Sequence, residues 1–482
     1  MSGCTAVGPD YQSPKAKLPE AWMSPIAHGG EQVGLQNWWA QFEDEILLDL
    51  IRAAEADSPN LQRALASIDS ARANLGTTRS ARWPSLNGTG RVNRMRQLGG
   101  AGGGSIDAAS AEGGADSMVA TYGTRSAGFD ASWELDLFGK SRRNIEAARA
   151  RLEARVNDWH EARVSLAAEV ADTYVQYRGC QLLVEVYRQE LRSMEKTDSA
   201  TRASVAAGFT SPANGFRTRA SLAEARSKLE AQQVSCHLLT TALQSLTGVA
   251  PPTLTTWLAQ SSGHLPRPRA FRVERLPADA LRQRPDVAAL ERGLAASSAE
   301  IGAARADLYP SLSLSGEIAL TTYSLLSSAI RTWSFGPALT LPLLDGGRRR
   351  AAVEGAEASY QSAYADWREG VKKAVREIEE AMANLDGAHR RSSKAAEAAA
   401  MHQAYYDSVQ AQWQEGGRSL LELEEARRSA LQAEVERVSL LRDQVQYWIA
   451  LYKATGGGWS PESIRDEPVP RTSIQRSGSV SG

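Results

Sequence analysis

The stretch Ser132-Trp133-Glu134-Leu135-Asp136-Leu137-Phe138-Gly139-Lys140 decides the fold, because two different patterns meet in it. Before Gly139, apolar and polar residues alternate, which is typical of a β-strand with one apolar face. From Lys140 to Ala207 the chain contains no proline and a single glycine, Gly179. Proline and glycine are the residues that interrupt helices. The sequence therefore predicts a strand that leads directly into one very long helix.

The same junction occurs twice in the chain. Gly139 maps onto Gly347 with an offset of 208 residues, and three further pairs of residues keep this offset. These pairs are Trp159 and Trp367, Gly208 and Gly416, and Thr247 and Thr455. Upstream, Trp83-Pro84-Ser85-Leu86 matches Tyr309-Pro310-Ser311-Leu312 at an offset of 226. The pattern predicts a duplicated unit, each copy consisting of a strand region and a long helical segment with a turn in its middle.

The long segments carry the apolar pattern of a coiled coil, with alternating four- and three-residue steps. In the first copy the apolar positions are Leu152, Val156, Trp159, Leu166, Val170, Tyr177, Cys180, Val184, Tyr187, Leu191 and Met194, and in the second Val353, Tyr360, Tyr364, Trp367, Ile378 and Leu385. This 3.5-residue period predicts left-handed supercoiled helices. About 68 helical residues at 1.5 Å each span on the order of 100 Å. Such a length favours a rod, a stalk or a conduit.

Each copy also predicts one β-hairpin, so the chain should contribute about four strands. Closed membrane barrels start at eight strands, so insertion in a bilayer would require several chains that share one barrel. Four aromatic residues near the strand ends, Trp83, Trp133, Tyr309 and Trp333, suit an interfacial belt. The alternative interpretation is that these rings fill the core of a soluble sheet.

The composition and the motifs argue against an enzyme. The 55 basic and 56 acidic residues nearly balance, so no global charge indicates nucleic acid as a partner. The six histidines form no HExxH motif, and no GxSxG, P-loop or EF-hand sequence occurs. The three cysteines contain no C-x-x-C, so we predict no catalytic, cofactor-binding or metal-ligating residue. No run of 18 apolar residues is present, so we expect no transmembrane helix.

Basic residues stand just after both strand regions. They are Lys140, Arg142 and Arg143 in the first copy and Arg348, Arg349 and Arg350 in the second. Cations at the start of a helix oppose its macrodipole, so another interaction must favour them. Contact with anionic lipid head groups and plain solvation are the two interpretations.

Two cysteines lie symmetrically about the turn of the first helical segment. Cys180 lies 28 residues before Gly208, and Cys236 lies 28 residues after it. Two antiparallel helices joined at this turn would carry both thiols about 42 Å from the tip. We expect the two residues to lie within about one helical turn of each other. An oxidising compartment permits a disulfide between them, and whether it forms is left open.

Several motifs together resemble the TolC-type outer-membrane factors, and within them the OprM- and NodT-like lipoproteins. The motifs are Cys4-Thr5-Ala6-Val7-Gly8-Pro9-Asp10-Tyr11, Trp38-Trp39 with Phe42-Glu43-Asp44, Ser132 to Gly139, and Leu281-Arg282-Gln283-Arg284-Pro285-Asp286-Val287. The resemblance implies a mainly α fold with a small β part, in which a trimer forms a 12-stranded outer-membrane β-barrel and a 12-helix periplasmic tunnel. It also implies lipidation of Cys4, by palmitate for example, although the start Met1-Ser2-Gly3 lacks a signal region, so the true start is expected upstream.

The function that the resemblance implies is that of the outer-membrane channel of a tripartite efflux system. Small toxic molecules would pass from an inner-membrane RND-type pump and a periplasmic adaptor protein to the exterior. The alternatives are an outer-membrane conduit for protein secretion and a periplasmic coiled-coil scaffold. The resemblance gives no cofactor other than the lipid on Cys4.

By the same resemblance, the helical turns should dock the adaptor. The first turn is Ala207-Gly208-Phe209-Thr210, and the second is Gly416-Gly417-Arg418-Ser419. Where relatives often carry an aspartate after the second turn glycine, this chain has Arg418. A gate at this tip would then use Arg418 with Glu415 or Glu422.

These observations predict the following boundaries: a lipidated segment 1–35; repeat 1 over 36–248, with strands at about 84–138 and a helical hairpin at 140–247; a linker 249–280; repeat 2 over 281–456, with strands at about 309–344 and a helical hairpin at 348–455; and a tail 457–482, disordered at its end.

Overall fold

The computed structural model describes residues 6–16, 22–24, 35–98, 119–260, 263–266, 268, 281–323 and 329–459. In chain order the elements are a 3-10 helix Leu35–Phe42, α1 Glu45–Asp57, α2 Pro59–Ser80, β1 Ser85–Leu98, β2 Val119–Leu135, α3 Lys140–Ala206, α4 Pro212–Thr247, α5 Pro251–Gln260, α6 Pro285–Ala306, β3 Ser311–Tyr323, β4 Ala329–Thr340, α7 Arg348–Gln414 and α8 Leu420–Ala454. The predicted linker 249–280 thus begins with a helix, α5. Cys4 and the tail after residue 459 lie outside the described residues.

The chain forms two compact units that do not follow the two repeats. The first unit comprises Met1–Ser13, Ala71–Leu152 and Gly293–Ala363, and the second comprises Pro14–Ser70, Glu153–Arg292 and Tyr364–Gly482. The first unit therefore takes the strands of both copies, and the second takes the helical turns of both copies. Each unit is assembled from equivalent parts of the duplication.

The strands of both repeats join in one sheet in the first unit. The sheet is antiparallel, with the order β1-β2-β3-β4. The two hairpins meet through β2 and β3, where Phe129 faces Ile318, and Ile318 in turn faces Trp333 on β4. Among the described strands, β1 and β4 each pair on one side only. The sheet is therefore open, with two edges.

The register gives this sheet one apolar and one polar face, as the alternation predicts. Lateral neighbours point to the same side of an antiparallel sheet, as do residues two apart along a strand. The apolar sheet face carries Leu86, Phe129, Trp133, Ile318, Leu320, Trp333 and Phe335. The polar sheet face carries Asn87, Asp130, Ser132, Ser315, Glu317 and Ser334.

Carboxylates hold several of the basic residues at the helix starts, an interaction that neither of the two interpretations included. Asp136 accepts the N–H groups of Ser141 and Arg142 at 3.0 Å and pairs with the Arg142 guanidinium. Asp345 accepts the N–H group of Arg349 and pairs with its side chain at 3.3 Å. A carboxylate that caps a helix start complements the macrodipole. Asp136 therefore favours the cation Arg142 at the start of α3, and Asp345 favours Arg349 at the start of α7.

Arg143 is buried and fastens the N-terminal segment to α3. Its guanidinium donates to the carbonyl oxygens of Val7 and Gly8 at 3.3 Å, and it pairs with Asp10 and Glu146 at 2.8 Å. It therefore contacts neither lipid nor bulk water. The side chains of Arg348 and Arg350 are exposed, so both interpretations stay open for these two residues.

The apolar seam of the long helices supplies the core of the second unit. Its buried members include Trp159, Leu166, Val170, Cys180, Val184 and Met194 in α3 and Trp367, Ile378 and Leu385 in α7. The first of the two tryptophans of the 3-10 helix joins this core, since Trp38 is fully buried and stacks on Tyr452 at 5.4 Å between ring centroids. Over the described residues, no helix is apolar for long enough to cross a membrane.

Candidate functional site

The first helical turn ends α3 by a mechanism that requires a glycine. Phe209 N–H donates to Ser204 O at 2.9 Å, and Gly208 N–H donates to Val205 O at 3.1 Å. This pair of bonds is the Schellman motif, which places the C′ residue in the left-handed region. Gly208 occupies that position with φ +77°. Gly208 therefore ends α3, and the turn that the sequence predicts in the middle of this helical segment lies here.

The second turn repeats the same geometry 208 residues later. Gly417 N–H donates to Gln412 O at 2.8 Å, and Gly416 N–H donates to Trp413 O at 3.0 Å. Gly416 has φ +81°. A Cβ added at either Gly208 or Gly416 would meet no atom within 4 Å. Substitution at either position therefore strains the backbone without a steric clash.

The two turns differ in the chemistry that they expose. Turn 1, residues 207–211, presents Phe209 with 86% of its side chain exposed. Its following helix begins at the N-cap Ser211, which accepts the Ala213 N–H. Turn 2, residues 415–419, is followed by a complete capping box between Ser419 and Glu422. Turn 1 therefore offers an apolar contact, and turn 2 offers a charged one.

The proposed gate residues lie together within turn 2 and the first turn of α8. Arg418 pairs with Glu422 at 2.6 Å and donates to Gln412 Oε1 at 2.9 Å. Within the part of the chain that the structure describes, Arg418 forms no ion pair with Glu415. Hydrogen bonds from the Ser419 backbone and hydroxyl, with the Arg418 guanidinium, lower the pKa of Glu422 to about 2. The carboxylate is therefore charged in any physiological compartment.

A buried polar network above turn 2 was missed by the sequence analysis. Arg427 on α8 is 5% exposed and pairs with the equally buried Glu424. The same guanidinium donates to Thr197 Oγ1 and to Met194 Sδ on α3, both at 2.6 Å. It also lies 5.6 Å from the centroid of the Tyr406 ring on α7. This network ties the second helical hairpin to the first.

The only sequence signal for this network is the i, i+3 spacing of Glu424 and Arg427, which is also the pattern of a solvated helix face. Beside the network, Glu190 lines a cavity of about 120 Å³ with Ser193 and Tyr406. Glu190 Oε2 is buried with no hydrogen-bond partner among the described residues. Burial raises the pKa of this carboxyl above its usual value.

Cys180 and Cys236 form a disulfide that links α3 and α4, with their Cα atoms 5.6 Å apart. The proximity predicted by counting from Gly208 is therefore confirmed, and the bond itself, which the sequence left open, is present. The antiparallel register of the first hairpin follows from the same observation. Gln232 donates to Cys180 Sγ at 3.0 Å.

Three of the four predicted belt residues lie near one end of the sheet. Trp83 precedes β1, Tyr309 precedes β3, and Trp133 lies near the end of β2 and donates from its indole to Arg82 O at 3.0 Å. Trp333 is different, because the register places it opposite Ile318, four residues farther along the sheet than Trp133. Its place at mid-strand corrects the assignment to the strand end.

Trp83 and Trp333 are 76% and 78% exposed, so these rings do not fill a core within this chain. Cys4, the predicted lipidation site, lies outside the described residues. Among the described residues, no group of three or more His, Cys, Asp or Glu side chains is arranged to hold a metal ion. The candidate site is therefore a set of surfaces: two helical turns and a two-faced sheet.

Comparison with known proteins gives these surfaces a context. The family model described as "Outer membrane efflux protein" matches residues 50–249 and 276–457, well over half of the chain. Nodulation protein T of Rhizobium leguminosarum bv. trifolii is 30% identical over 475 residues, covering 96% of this chain and 96% of that protein. The toluene efflux pump outer membrane protein TtgI of Pseudomonas putida is 29% identical over 475 residues, covering 95% of this chain and 96% of that protein. The solved outer-membrane channel OprN superposes with a TM-score of 0.82 at 29% identity, over 94% of this chain and 100% of that chain.

Proposed function

This chain belongs to the outer membrane efflux protein family, and we propose that three copies of it form one channel for small toxic molecules. It is the outer-membrane channel of a tripartite efflux system, as its relatives among efflux pump proteins indicate. The family match favours efflux over protein secretion and over a periplasmic scaffold. The finer proposals concern its assembly, its docking partner and its anchor.

The open sheet carries the proposal that the channel is a trimer. Unpaired strand edges cannot be tolerated in hydrocarbon, because each buried N–H and C=O group needs a partner. Four strands per chain, paired β4 to β1 between neighbours, close a barrel of twelve strands in a trimer. The apolar sheet face would then meet lipid, and the polar sheet face, with Asp130 and Glu317, would line the lumen.

Turns 1 and 2 are the proposed contacts with a periplasmic adaptor protein, which connects the channel to an inner-membrane pump of the RND type. Their backbone is fixed by the Schellman motifs, while Phe209 and Arg418 remain exposed to a partner. The pair of Arg418 and Glu422 supplies the charge at which a gate could be held. An acyl chain on Cys4 would anchor the chain in the membrane in addition to the barrel.

The test of the assembly is native mass spectrometry of the purified protein in detergent. We expect a trimer, and a stable monomer would contradict the proposed channel. The test of docking is Gly208→Val, which places a β-branched residue at φ +77° in open space. This variant should lose efflux complementation and keep the yield of trimer. Gly208→Asn is the matched control, because asparagine tolerates the left-handed conformation. If both variants lose the trimer equally, the glycine acts in folding and not in docking.

A further inference from the structure

The arginines of the sheet are distributed unequally between its two faces. Arg94, Arg125 and Arg331 lie on the apolar sheet face, since Arg94 faces Gly123, Arg125 faces Thr322, and Arg331 faces Leu320. The acidic residues Asp130, Glu134 and Glu317 all lie on the polar sheet face. Among the strand residues whose side chains the structure describes, the apolar sheet face thus carries three arginines and no anion.

These three arginines share one end of the apolar sheet face. Arg94 is four residues from the end of β1, and Arg331 is two residues from the start of β4. Along the strand direction, Arg125 lies between the levels of Arg94 and Arg331. All three side chains are exposed, and none has an ion pair among the described residues. The opposite end of this face carries Trp133.

A groove lies on the same face next to Arg331. It has a volume of about 660 Å³, and its lining includes Gly90 and Ala127, which face each other across β1 and β2 and have no side chain or a small one. Its lining also includes the apolar residues Phe129, Ile318 and Leu320 and one cation, Arg331. The groove is therefore mainly apolar, with a single arginine in its lining.

We infer that this groove and the three arginines form a site for a membrane lipid with an anionic phosphate head group. The phosphate would lie against Arg331 and Arg125, and one acyl chain would lie in the groove. Guanidinium groups bind phosphate oxygens through charge-assisted hydrogen bonds. A second copy of the sheet is a poorer occupant of this face, because it would bring three more cations against the first three. This inference rests on the proposed function, which turns the apolar sheet face toward lipid.

The experiment is native mass spectrometry of the full-length protein in detergent, titrated with diphosphorylated lipid A or with zwitterionic phosphatidylcholine. The wild type should retain lipid A in preference to phosphatidylcholine. Loss of a guanidinium–phosphate contact in Arg331→Gln or Arg125→Gln should weaken lipid A binding roughly tenfold. Arg91→Gln is the matched control, since Arg91 lies on the polar sheet face of the same strand as Arg94, and its binding should match the wild type.

A second variant tests the groove independently of charge. A Cβ at Gly90 would meet no atom within 4 Å, so Gly90→Leu should fill the groove without disturbing the sheet and should also weaken lipid A binding. For the wild type alone, added salt should reduce the preference for lipid A.

Equal binding of lipid A and phosphatidylcholine by the wild type would overturn the lipid site. So would a loss of lipid A binding in Arg91→Gln as large as that in Arg331→Gln or Arg125→Gln. Flotation with phosphatidylcholine vesicles separates this result from failure of the proposed function. A wild type that floats as a trimer but lacks the lipid preference refutes the site alone. A wild type that neither floats nor forms a trimer refutes the channel and the site together.

Discussion

Removal of the disulfide between Cys180 and Cys236 should destabilise the first helical hairpin by an amount that can be calculated from its loop. The two cysteines are 56 positions apart. The loss of loop-closure entropy for a loop of that size stabilises the folded state by about 4 kcal/mol in the chain-entropy model. Cys236→Ser is the preferred change, because Cys236 is half-buried and the buried Cys180 thiol keeps its packing.

The assay is guanidinium denaturation followed by helical circular dichroism, with and without a reductant. Oxidised wild type should unfold at a higher midpoint than Cys236→Ser, whereas reduced wild type and Cys236→Ser should coincide. Cys4→Ser is the matched control, since the third cysteine is not part of the bridge. Free thiols are counted in denaturant without a reductant. If the thiols of Cys180 and Cys236 both react in the oxidised wild type, the disulfide is refuted. A wild-type midpoint that does not respond to the reductant would refute it as well.

Three further perturbations test the interactions around the second hairpin. Arg427→Met should lower the free energy of unfolding by about 3–5 kcal/mol, because it leaves the Glu424 carboxylate buried and unpaired. The double variant Arg427→Met with Glu424→Leu should lose much less stability. Denaturation midpoints measure both variants, and equal losses would argue against the pair. Because the folded-state pKa of Glu422 is lowered to about 2, its contribution is complete above about pH 4.5 and is lost as the pH falls toward 2. Hydrogen exchange of the first turn of α8 should therefore rise over this range, after correction for intrinsic rates, and Glu422→Gln should abolish the dependence. Burial raises the pKa of Glu190, so the protein loses stability as the pH rises through the folded-state pKa of this carboxyl. Glu190→Gln should therefore raise the Tm at pH 7 and leave it unchanged at pH 4.5. A Tm that is unchanged at both pH values would mean that this carboxyl is not desolvated.

The periodic features of the sequence predicted most of the fold. The 208-residue offset, the 3.5-residue seam and the alternation around Trp133 are local patterns, and local geometry converts them directly into helices and strands. The turns at Gly208 and Gly416 were predictable for the same reason, since a left-handed C′ position depends on a few consecutive residues. The proximity of Cys180 and Cys236 was also predictable, because two antiparallel helices have the same rise per residue on either side of a turn.

Long-range packing decided the remaining features. The position of Trp333 at mid-sheet depends on the pairing register of β3 and β4, and alternation along one strand carries no information about its neighbour. Whether Arg143 and Arg427 are solvated or buried depends on which segments approach them, Val7 and Gly8 in one case and Met194 and Thr197 in the other. The same holds for the groove beside Arg331, whose lining includes Gly90 and Ala127, which face each other across two paired strands. The sequence by itself determined the elements and their repetition, and the tertiary structure decided which polar groups meet, since those contacts join residues far apart in the chain.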